Sequence, residues 1–180
     1  RPQPVLPKGD PILDEMCEAA MASKQTPAEK IEALYGKVLI NTPPIMVYTD
    51  GSCYNNGKPD ARAGAGIIWG DNSPQNQALR VPGPGQSNNC GEIYAVLSAV
   101  LHANPSRTLH IYTDSEYVIR HACYWVGTNA DLGWNCANGD ILRDLILLLA
   151  ERHAPTRFIW IPAHTGNVRG DAADEAAKAG

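Results

Sequence analysis

The sequence lacks the excess of positive charge that a protein needs when it binds nucleic acid through the phosphates alone. Its 15 Lys and Arg residues are outnumbered by 19 Asp and Glu residues, which gives a formal net charge of -4. Any contact with nucleic acid must therefore depend on a local site. An acidic balance also suits a site in which several carboxylates surround divalent cations.

Cysteine pairs and long apolar runs are also missing. The five cysteines include no Cys-x-x-Cys pair, which argues against a disulfide framework or a zinc site and predicts an intracellular, reducing compartment: nucleus, cytoplasm or mitochondrion. No apolar run reaches the length of a membrane span, so we expect no membrane partner. The chain begins at Arg1 without an initiator Met and ends at Gly180 within a predicted helix. We therefore expect a monomeric domain of a longer polypeptide.

Residues 1–44 are predicted to form an N-terminal extension with two short helices. Apolar residues recur at helical spacing from Ile12 to Met21. Thr26 and Glu29 then have the spacing of a capping box, and this second helix is expected to run to about Ile40 with Val38 on its apolar face. We interpret the pair as a structural prop or a connector.

Two later segments share one pattern, a hydrophobic strand that ends on an aspartate. The first runs from Ile45 to Asp50 and the second from Thr108 to Asp114. Each predicts a buried strand that holds its Asp at the carboxyl end. Two strands with an Asp at the same end are expected to be neighbours in one sheet.

The remaining segments predict an α/β fold. Further strands are expected at 63–70, near 77–81 and at 156–161; helices are expected at 90–103, 115–125 and 140–152, with a loop containing Trp134 between the last two and a final helix after residue 170. The order is three strands, helix, strand, two helices, strand, helix. It predicts a five-stranded mixed sheet, with three antiparallel strands followed by parallel ones, flanked by helices.

This arrangement brings four carboxylates to one edge of the sheet. Asp50 and Asp114 end neighbouring strands, and helices carry Glu92 and Asp174 towards them. Such a cluster is strongly repulsive unless cations are bound, and ligation by oxygen alone favours Mg²⁺ or Mn²⁺ over zinc. Two such ions, roughly 3.5–4 Å apart, form the usual clamp for in-line displacement at phosphorus.

The ordered motifs resemble those of type 1 ribonuclease H domains, in particular cellular eukaryotic ones, and also fit the corresponding domain of a retroelement. The matching segments are Tyr48-Thr49-Asp50-Gly51-Ser52, Gly91-Glu92-Ile93, Tyr112-Thr113-Asp114-Ser115, His164-Thr165-Gly166 and Gly170-Asp171-Ala172-Ala173-Asp174. The resemblance implies a ribonuclease H-like catalytic domain at 45–180 that hydrolyses the RNA strand of RNA–DNA hybrids with two Mg²⁺ ions, for which Mn²⁺ can substitute.

The resemblance also implies a role for each site residue. Asp50 is expected to bridge both ions, Glu92 and Asp114 to complete one metal site, and Asp174 to complete the other. Asp171 is the alternative fourth ligand and is expected to lie behind Asp174. His164, ten positions before Asp174, is expected to assist proton movement or product release.

Substrate contacts follow from the same resemblance. Asn56, Asn88 and Asn89 match positions that touch the 2′-hydroxyls of the RNA strand, and Ser87 matches a contact to a DNA phosphate. Trp125 matches an aromatic that packs against the DNA strand, although a Trp near a helix end can equally belong to the core.

Two departures from the family pattern predict weak intrinsic affinity for the hybrid. The positions that match the rest of the phosphate grip are Gly85 and Asp144, and the segment from Gly127 to Gly133 has no Lys or Arg where related enzymes carry a basic protrusion. Two alternatives therefore stay open. One is a hybrid-binding module with little or no activity, and the other is a related DNA nuclease.

Overall fold

The computed structural model of the chain describes residues 24–180, together with residues 15, 16, 19, 20 and 22. The predicted helix from Ile12 to Met21 lies largely outside the described residues. Among those described, no helix is long and apolar enough to cross a membrane. The elements are α1 (Pro27–Tyr35), β1 (Ile45–Tyr54), β2 (Arg62–Ile68), β3 (Gln77–Arg80), α2 (Asn88–His102), β4 (Leu109–Thr113), α3 (Glu116–Cys123), α4 (Val126–Asp131), α5 (Gly139–Ala150), β5 (Thr156–Trp160) and α6 (Val168–Ala179).

The five strands form one mixed sheet in the order β3-β2-β1-β4-β5. β1 pairs antiparallel with β2, and β2 antiparallel with β3. β1 pairs parallel with β4, and β4 parallel with β5. The predicted sheet, antiparallel in its first three strands and parallel in the rest, is therefore confirmed.

The sequence predicts that β1 ends at Asp50. In the structure, β1 continues to Tyr54. Its second half is held by β2, in which Gly66 is the partner of Asp50. Pairing with β4 covers only Ile45 to Tyr48. Asp50 thus lies just beyond the point where β1 loses one of its two neighbours, so its side chain is still at the end of the parallel half of the sheet.

The helices cover the two faces of the sheet unequally. α2 and α5 pack together on one face, and α6 packs on β1, β2 and β3 from the other. The main core lies on the α2 side and includes fully buried residues from both layers, among them Val47, Ile67, Ile93, Ile111 and Leu145. Apolar strand residues and the apolar stripes of these helices thus account for most of the buried surface.

α1 packs against the core of the sheet domain. Its predicted capping box is present, because Thr26 Oγ1 accepts from Glu29 N and the Glu29 carboxylate accepts from Thr26 N. The helix ends at Gly36 rather than near Ile40, so Val38 lies outside it and is exposed. Tyr35 packs on the core and donates to the carbonyl of Ala122 at 2.6 Å. The domain boundary at residue 45 stays a prediction.

The segment before Trp134 was expected to be a loop and instead contains the short helix α4. Asn129 in this helix is buried, and Asp131 forms an ion pair with Lys30 of α1. No basic protrusion is present between Gly127 and Gly133, as the sequence indicates. Packing against α1 therefore occupies part of this region.

Glycines in β2 allow α6 to lie directly on the sheet. A Cβ atom on Gly66 would be 2.0 Å from the carbonyl oxygen of Ala173, and one on Gly64 would be 2.1 Å from that of Ala177. Since no side chain separates the two backbones, the position of α6, and with it Asp174, depends on these glycines.

We predict that Gly66→Ala destabilises the protein by about 1–3 kcal/mol or more, because the added methyl must displace the α6 backbone. Urea unfolding monitored by circular dichroism measures this change. Gly70→Ala is the matched control, since a Cβ atom there has no neighbour within 4 Å. Equal stability of the two variants would contradict the proposed close contact.

Candidate active site

Three carboxylates meet at the end of the parallel half of the sheet. Asp50 lies within β1, Glu92 in the first turns of α2, and Asp114 directly after β4. Each offers an oxygen within 4.8 Å of the oxygens of the other two. The structure thus brings together three of the four predicted ligands.

Gly51 allows Glu92 to reach Asp50 although α2 packs on the opposite face of the sheet from α6. A Cβ atom on Gly51 would lie 2.2 Å from the backbone nitrogen of Glu92. The Asp50 carboxylate accepts from the Gly51 N–H at 2.8 Å, which orients one of its oxygens. The contact of α2 with β1 at this glycine therefore sets the distance between the two acids.

Asp114 is held by the turn that follows β4. Ser115 is the N-cap of α3 and accepts from Val118 N, while its own N–H donates to the hydroxyl of Thr113. The indole N–H of Trp160 donates to the carbonyl oxygen of Asp114 at 3.2 Å. The backbone at this carboxylate is thus fixed from α3 and from β5.

Asp174 lies on the other wall of the cleft that Asp50 and Asp114 line, and Asp171 lines the same cleft one turn earlier in α6. Asp174 is not one of the three mutually close acids. Its carboxylate accepts from the Lys178 ammonium at 2.6 Å. The sequence analysis did not single out Lys178, although its position four residues after Asp174 on a helix predicts such a pair.

His164 lies on the rim of this cleft, in the loop between β5 and α6. It is exposed and has a φ of 53°, in the left-handed region. It is close enough to Asp114 that its charge lowers the pKa of that carboxyl, against the stronger effect of burial, which raises it. The structure thus places His164 beside Asp114, and its role in proton movement or product release stays a prediction.

Burial and mutual repulsion raise the pKa values of the acids. For Asp50, burial and then the charge of Asp114 raise the pKa to about 6. The pKa of Glu92 lies well above its ordinary value, first because of burial and then because of the charges of Asp50 and Asp114. Without a cation, the folded protein thus disfavours the fully ionised cluster.

The donor set fits a hard divalent cation. The three mutually close groups are all carboxylates, which Mg²⁺ and Mn²⁺ prefer to the sulfur and nitrogen ligands typical of zinc. Glu92 is 5% exposed, and its Oε2 is buried without a hydrogen-bond partner among the described residues. A buried carboxylate oxygen needs a partner, and a cation between the acids would supply it.

The predicted contacts to the RNA strand lie at the N-terminus of α2. Asn88 donates its backbone N–H to Asn56 Oδ1 at 3.2 Å, so the loop after β1 lies against the start of the helix. Asn88, Asn89 and Asn56 are exposed. Ser87 is the N-cap of α2, and its hydroxyl accepts from Cys90 N at 3.1 Å. Asn88 and Asn89 thus precede Glu92 by about one helical turn, and Ser87 precedes it by about one and a half turns.

Trp125 is 44% exposed, so the structure favours the surface alternative over the core one. The Arg120 guanidinium lies 5.9 Å from its ring centroid. The ring of His121 meets it edge-on at 5.0 Å, and Asn129 Nδ2 lies 2.9 Å from Nδ1 of His121. No pattern in the sequence indicates this contact.

In the sequence, Asp144, like Ser87, matches a position that contacts a DNA phosphate in related enzymes. In the structure, the charge near the start of α2 is that of Asp140, which helps to raise the pKa of the Cys90 thiol, mainly raised by burial. Asp144 is an exposed residue further along α5. The assignment of Asp144 to the phosphate-binding position stays a prediction.

We predict that Asp50→Asn raises the melting temperature at neutral pH in EDTA. Because the pKa of Asp50 is about 6 in the folded protein and 3.8 ordinarily, the folded state keeps a proton that the unfolded chain has lost between these values. The free energy of unfolding of the wild type therefore falls as pH rises through this window.

The increase in melting temperature caused by Asp50→Asn should shrink as the pH is lowered towards about 4, because Asp50 of the wild type then binds a proton in the unfolded state as well as in the folded state. Thermal melts across this range measure it. Asp144→Asn, which changes an exposed carboxylate on α5, is the control and should show no such dependence. A gain in Asp50→Asn that does not vary with pH would contradict the assignment.

Comparison with known proteins identifies a family to which the chain is similar. The model of the RNase H family matches residues 42–180. The chain is 36% identical over 142 residues to Ribonuclease H1 of Mus musculus, with 76% of this chain and 50% of that protein covered. It is 32% identical over 142 residues to Ribonuclease H1 of Homo sapiens, with 76% and 49% covered.

A bacterial relative and a solved structure extend the similarity. Ribonuclease H of Caulobacter sp. (strain K31) is 29% identical over 145 residues, with 77% of this chain and 90% of that protein covered. The crystal structure of LC9-RNase H1, a type 1 RNase H with the type 2 active-site motif, has a TM-score of 0.61 at 23% identity and covers 77% of this chain and 72% of that one. The chain spans about half the length of the mammalian relatives. From these matches, the chain belongs to the RNase H family, in its type 1 form.

Proposed function

We propose that this chain is an endoribonuclease that hydrolyses the RNA strand of RNA–DNA hybrids. The observation that carries the proposal is the trio of Asp50, Glu92 and Asp114 in a member of the RNase H family, with oxygens within 4.8 Å of one another. Relatives of this chain are named ribonuclease H. Clustered carboxylates of this kind are the groups that metal-assisted hydrolysis at phosphorus requires.

Asp50, Glu92, Asp114 and Asp174 are the residues that would hold two Mg²⁺ ions. When bound, such ions activate a water and stabilise the charge that develops on the scissile phosphate. The unpartnered Oε2 of Glu92 and the raised pKa values of the trio support this assignment, since a cation between the acids would satisfy that oxygen and offset their repulsion. Asp174 accepts from Lys178 through Oδ2, so its other carboxylate oxygen would contact the cation.

His164 is proposed to move protons at the rim of the cleft. It is exposed and lines the same cleft as Asp114 and Asp174, on a loop rather than within an element. An imidazole can both donate and accept a proton, which suits transfer to the leaving oxygen or departure of the product.

Discrimination of the two strands is proposed to depend on the exposed amides at the N-terminus of α2. Amides can donate to and accept from a 2′-hydroxyl, which only the RNA strand carries. Asn56, Asn88 and Asn89 are exposed next to the helix that carries Glu92. Trp125, with Arg120 beside its ring, is proposed to pack against the DNA strand.

We also propose a compartment and a molecular setting for the protein. The free thiols of Cys53, Cys90, Cys123 and Cys136 suit an intracellular, reducing compartment. A monomeric domain within a longer polypeptide, cellular or from a retroelement, remains our proposal for its setting.

We predict that the protein cuts the RNA of a labelled RNA–DNA hybrid in Mg²⁺ or Mn²⁺, and that EDTA abolishes cleavage. Asp50→Asn should lower kcat by at least about 10²-fold, because it removes a charge needed at the reacting phosphate. Gel analysis of hybrid, duplex DNA and duplex RNA substrates checks this. Tight binding to hybrid without cleavage would support the binding-module alternative, and cutting of duplex DNA the DNA-nuclease alternative.

We further predict that His164→Ala lowers kcat by about 10²-fold with little change in KM, since general acid–base groups contribute about 10²–10⁴-fold. Steady-state kinetics on the hybrid separate the two constants. His153→Ala is the control, because His153 is also exposed but does not line the cleft. Identical kinetics of the two variants would remove His164 from the proposed mechanism.

A further inference from the structure

A pocket of about 270 Å³ lies where α1 and the segment after it meet the ends of α3 and α5 and the start of β5. All of its lining residues fall between positions 31 and 158. The RNase H family model begins at residue 42, so the wall that Ile31 and residues 35–38 form lies outside the matched domain. We name this feature the Lys37–Arg152 pocket.

Hydrogen bonds hold the N-terminal wall of this pocket in place. Tyr35 donates its hydroxyl to the carbonyl oxygen of Ala122 in α3 at 2.6 Å. A few residues later, the backbone N–H groups of Leu39 and Ile40 donate to the carbonyl oxygen of His153 at 3.0 and 3.2 Å. The wall is therefore attached at both of its ends, and the pocket is a fixed part of the fold.

The interior of the pocket is mostly apolar. Ala122, Leu149 and Ala154 are buried, and Ile31 and Phe158 add larger apolar side chains. Such a lining favours the apolar body of a small ligand. The volume of about 270 Å³ corresponds to roughly nine water-sized groups at roughly 30 Å³ each, which is the size of a medium-chain carboxylic acid.

The charge of the pocket is positive. Arg152 and Lys37 line it, whereas no Asp or Glu does so among the residues that the structure describes. The whole chain has a formal net charge of -4, so this local excess of positive charge runs against its overall balance. The complementary ligand is therefore an anion.

Arg152 is a buried cation that lacks a counter-charge. Its side chain is 7% exposed, and burial lowers the pKa of its guanidinium. It donates to Thr156 Oγ1 and to the carbonyl oxygens of Asn104 and Arg107, all of them neutral acceptors. No carboxylate pairs with it in the described part of the chain. These three bonds leave two of the five N–H groups of the guanidinium without a partner there, and an ionised ligand would supply one.

Lys37 brings a second cation to the same pocket. It is exposed, and within residues 24–180 its ammonium forms no ion pair. A carboxylate has two oxygens, so one acid group can accept from both a guanidinium and an ammonium. The pocket thus combines a binding site for one acid group with space for an apolar chain.

We propose that the Lys37–Arg152 pocket binds a medium-chain carboxylate, with its acid group paired to the two cations and its apolar body against Leu149 and Phe158. The pocket lies at the start of β5, whereas the catalytic acids lie at the opposite ends of the parallel strands. The proposal therefore goes beyond the hydrolytic function and does not depend on it.

Cys123 provides a direct test, because it lines the pocket and is partly buried. N-ethylmaleimide alkylates thiols, and mass spectrometry gives the rate at each cysteine. Octanoate at about ten times its dissociation constant should slow alkylation of Cys123 about tenfold, since only the free pocket then reacts. Cys136 is exposed and does not line the pocket, so its rate should stay unchanged.

Other probes separate the charge from the apolar chain. Octanol keeps the chain without the charge, acetate keeps the acid without the chain, and octylammonium reverses the charge. Each should protect Cys123 at least about tenfold less well than octanoate at equal concentration, because charge-assisted hydrogen bonds are the stronger ones.

Two variants test the cations. Lys37→Glu should weaken protection by octanoate about tenfold, because it places a like charge beside the ligand. Lys58→Glu changes an exposed lysine outside the pocket and is the matched control. Arg152→Gln should abolish protection, and its circular dichroism spectrum shows whether the variant folds. Where it does not fold, Lys37→Glu and the comparison of octanol with octanoate in the wild type decide.

Equal protection by octanol and octanoate overturns the proposal, because the pocket would then recognise apolar surface alone. Equal protection of Cys136, or full protection in Lys37→Glu, overturns it as well. Thermal melts give a second readout: octanoate should raise the melting temperature of the wild type more than that of Lys37→Glu. These measurements need neither a metal ion nor a hybrid, so they stand whether or not the chain cleaves RNA.

Discussion

The close approach of two helices to a central strand pair, without intervening side chains, is the constraint on which the site depends. Gly51 brings the α2 backbone against β1, and Gly66 brings α6 against β2. Because these contacts are backbone to backbone, neither helix can shift without losing van der Waals contact. The acids are carried on elements whose separation is fixed by the absence of a Cβ atom.

That rigidity has an electrostatic cost, which the fold tolerates. Buried Asp50 and Glu92 repel Asp114, and the pKa of each is raised. A fold selected only for stability would separate these groups or neutralise them. The opposing favourable contribution comes from the core on the α2 side, where residues such as Val47, Ile93 and Ile111 are fully buried. The site is therefore preorganised at the expense of local stability.

Much of the sheet and of the acid cluster could be predicted from the sequence, because hydrophobic strands ending on Asp and a Glu in the first turns of a helix are local patterns. The sequence did not show that β1 continues past Asp50, since that depends on pairing with Gly66 of β2. Contacts between distant side chains, such as His121 with Asn129, leave no periodic signal at all.

The two edge strands of the sheet affect how the protein behaves at high concentration. β3 is an edge strand of only four residues and ends at Arg80, two residues before Pro82. The other edge, β5, has five residues, carries exposed Arg157 and lies between Pro155 and Pro162. Short, charged edges bounded by proline offer few free N–H and C=O groups for another chain to pair with. Arg80 at the end of β3 thus helps to protect the sheet against edge-to-edge aggregation, so replacing Arg80 has a consequence for solubility.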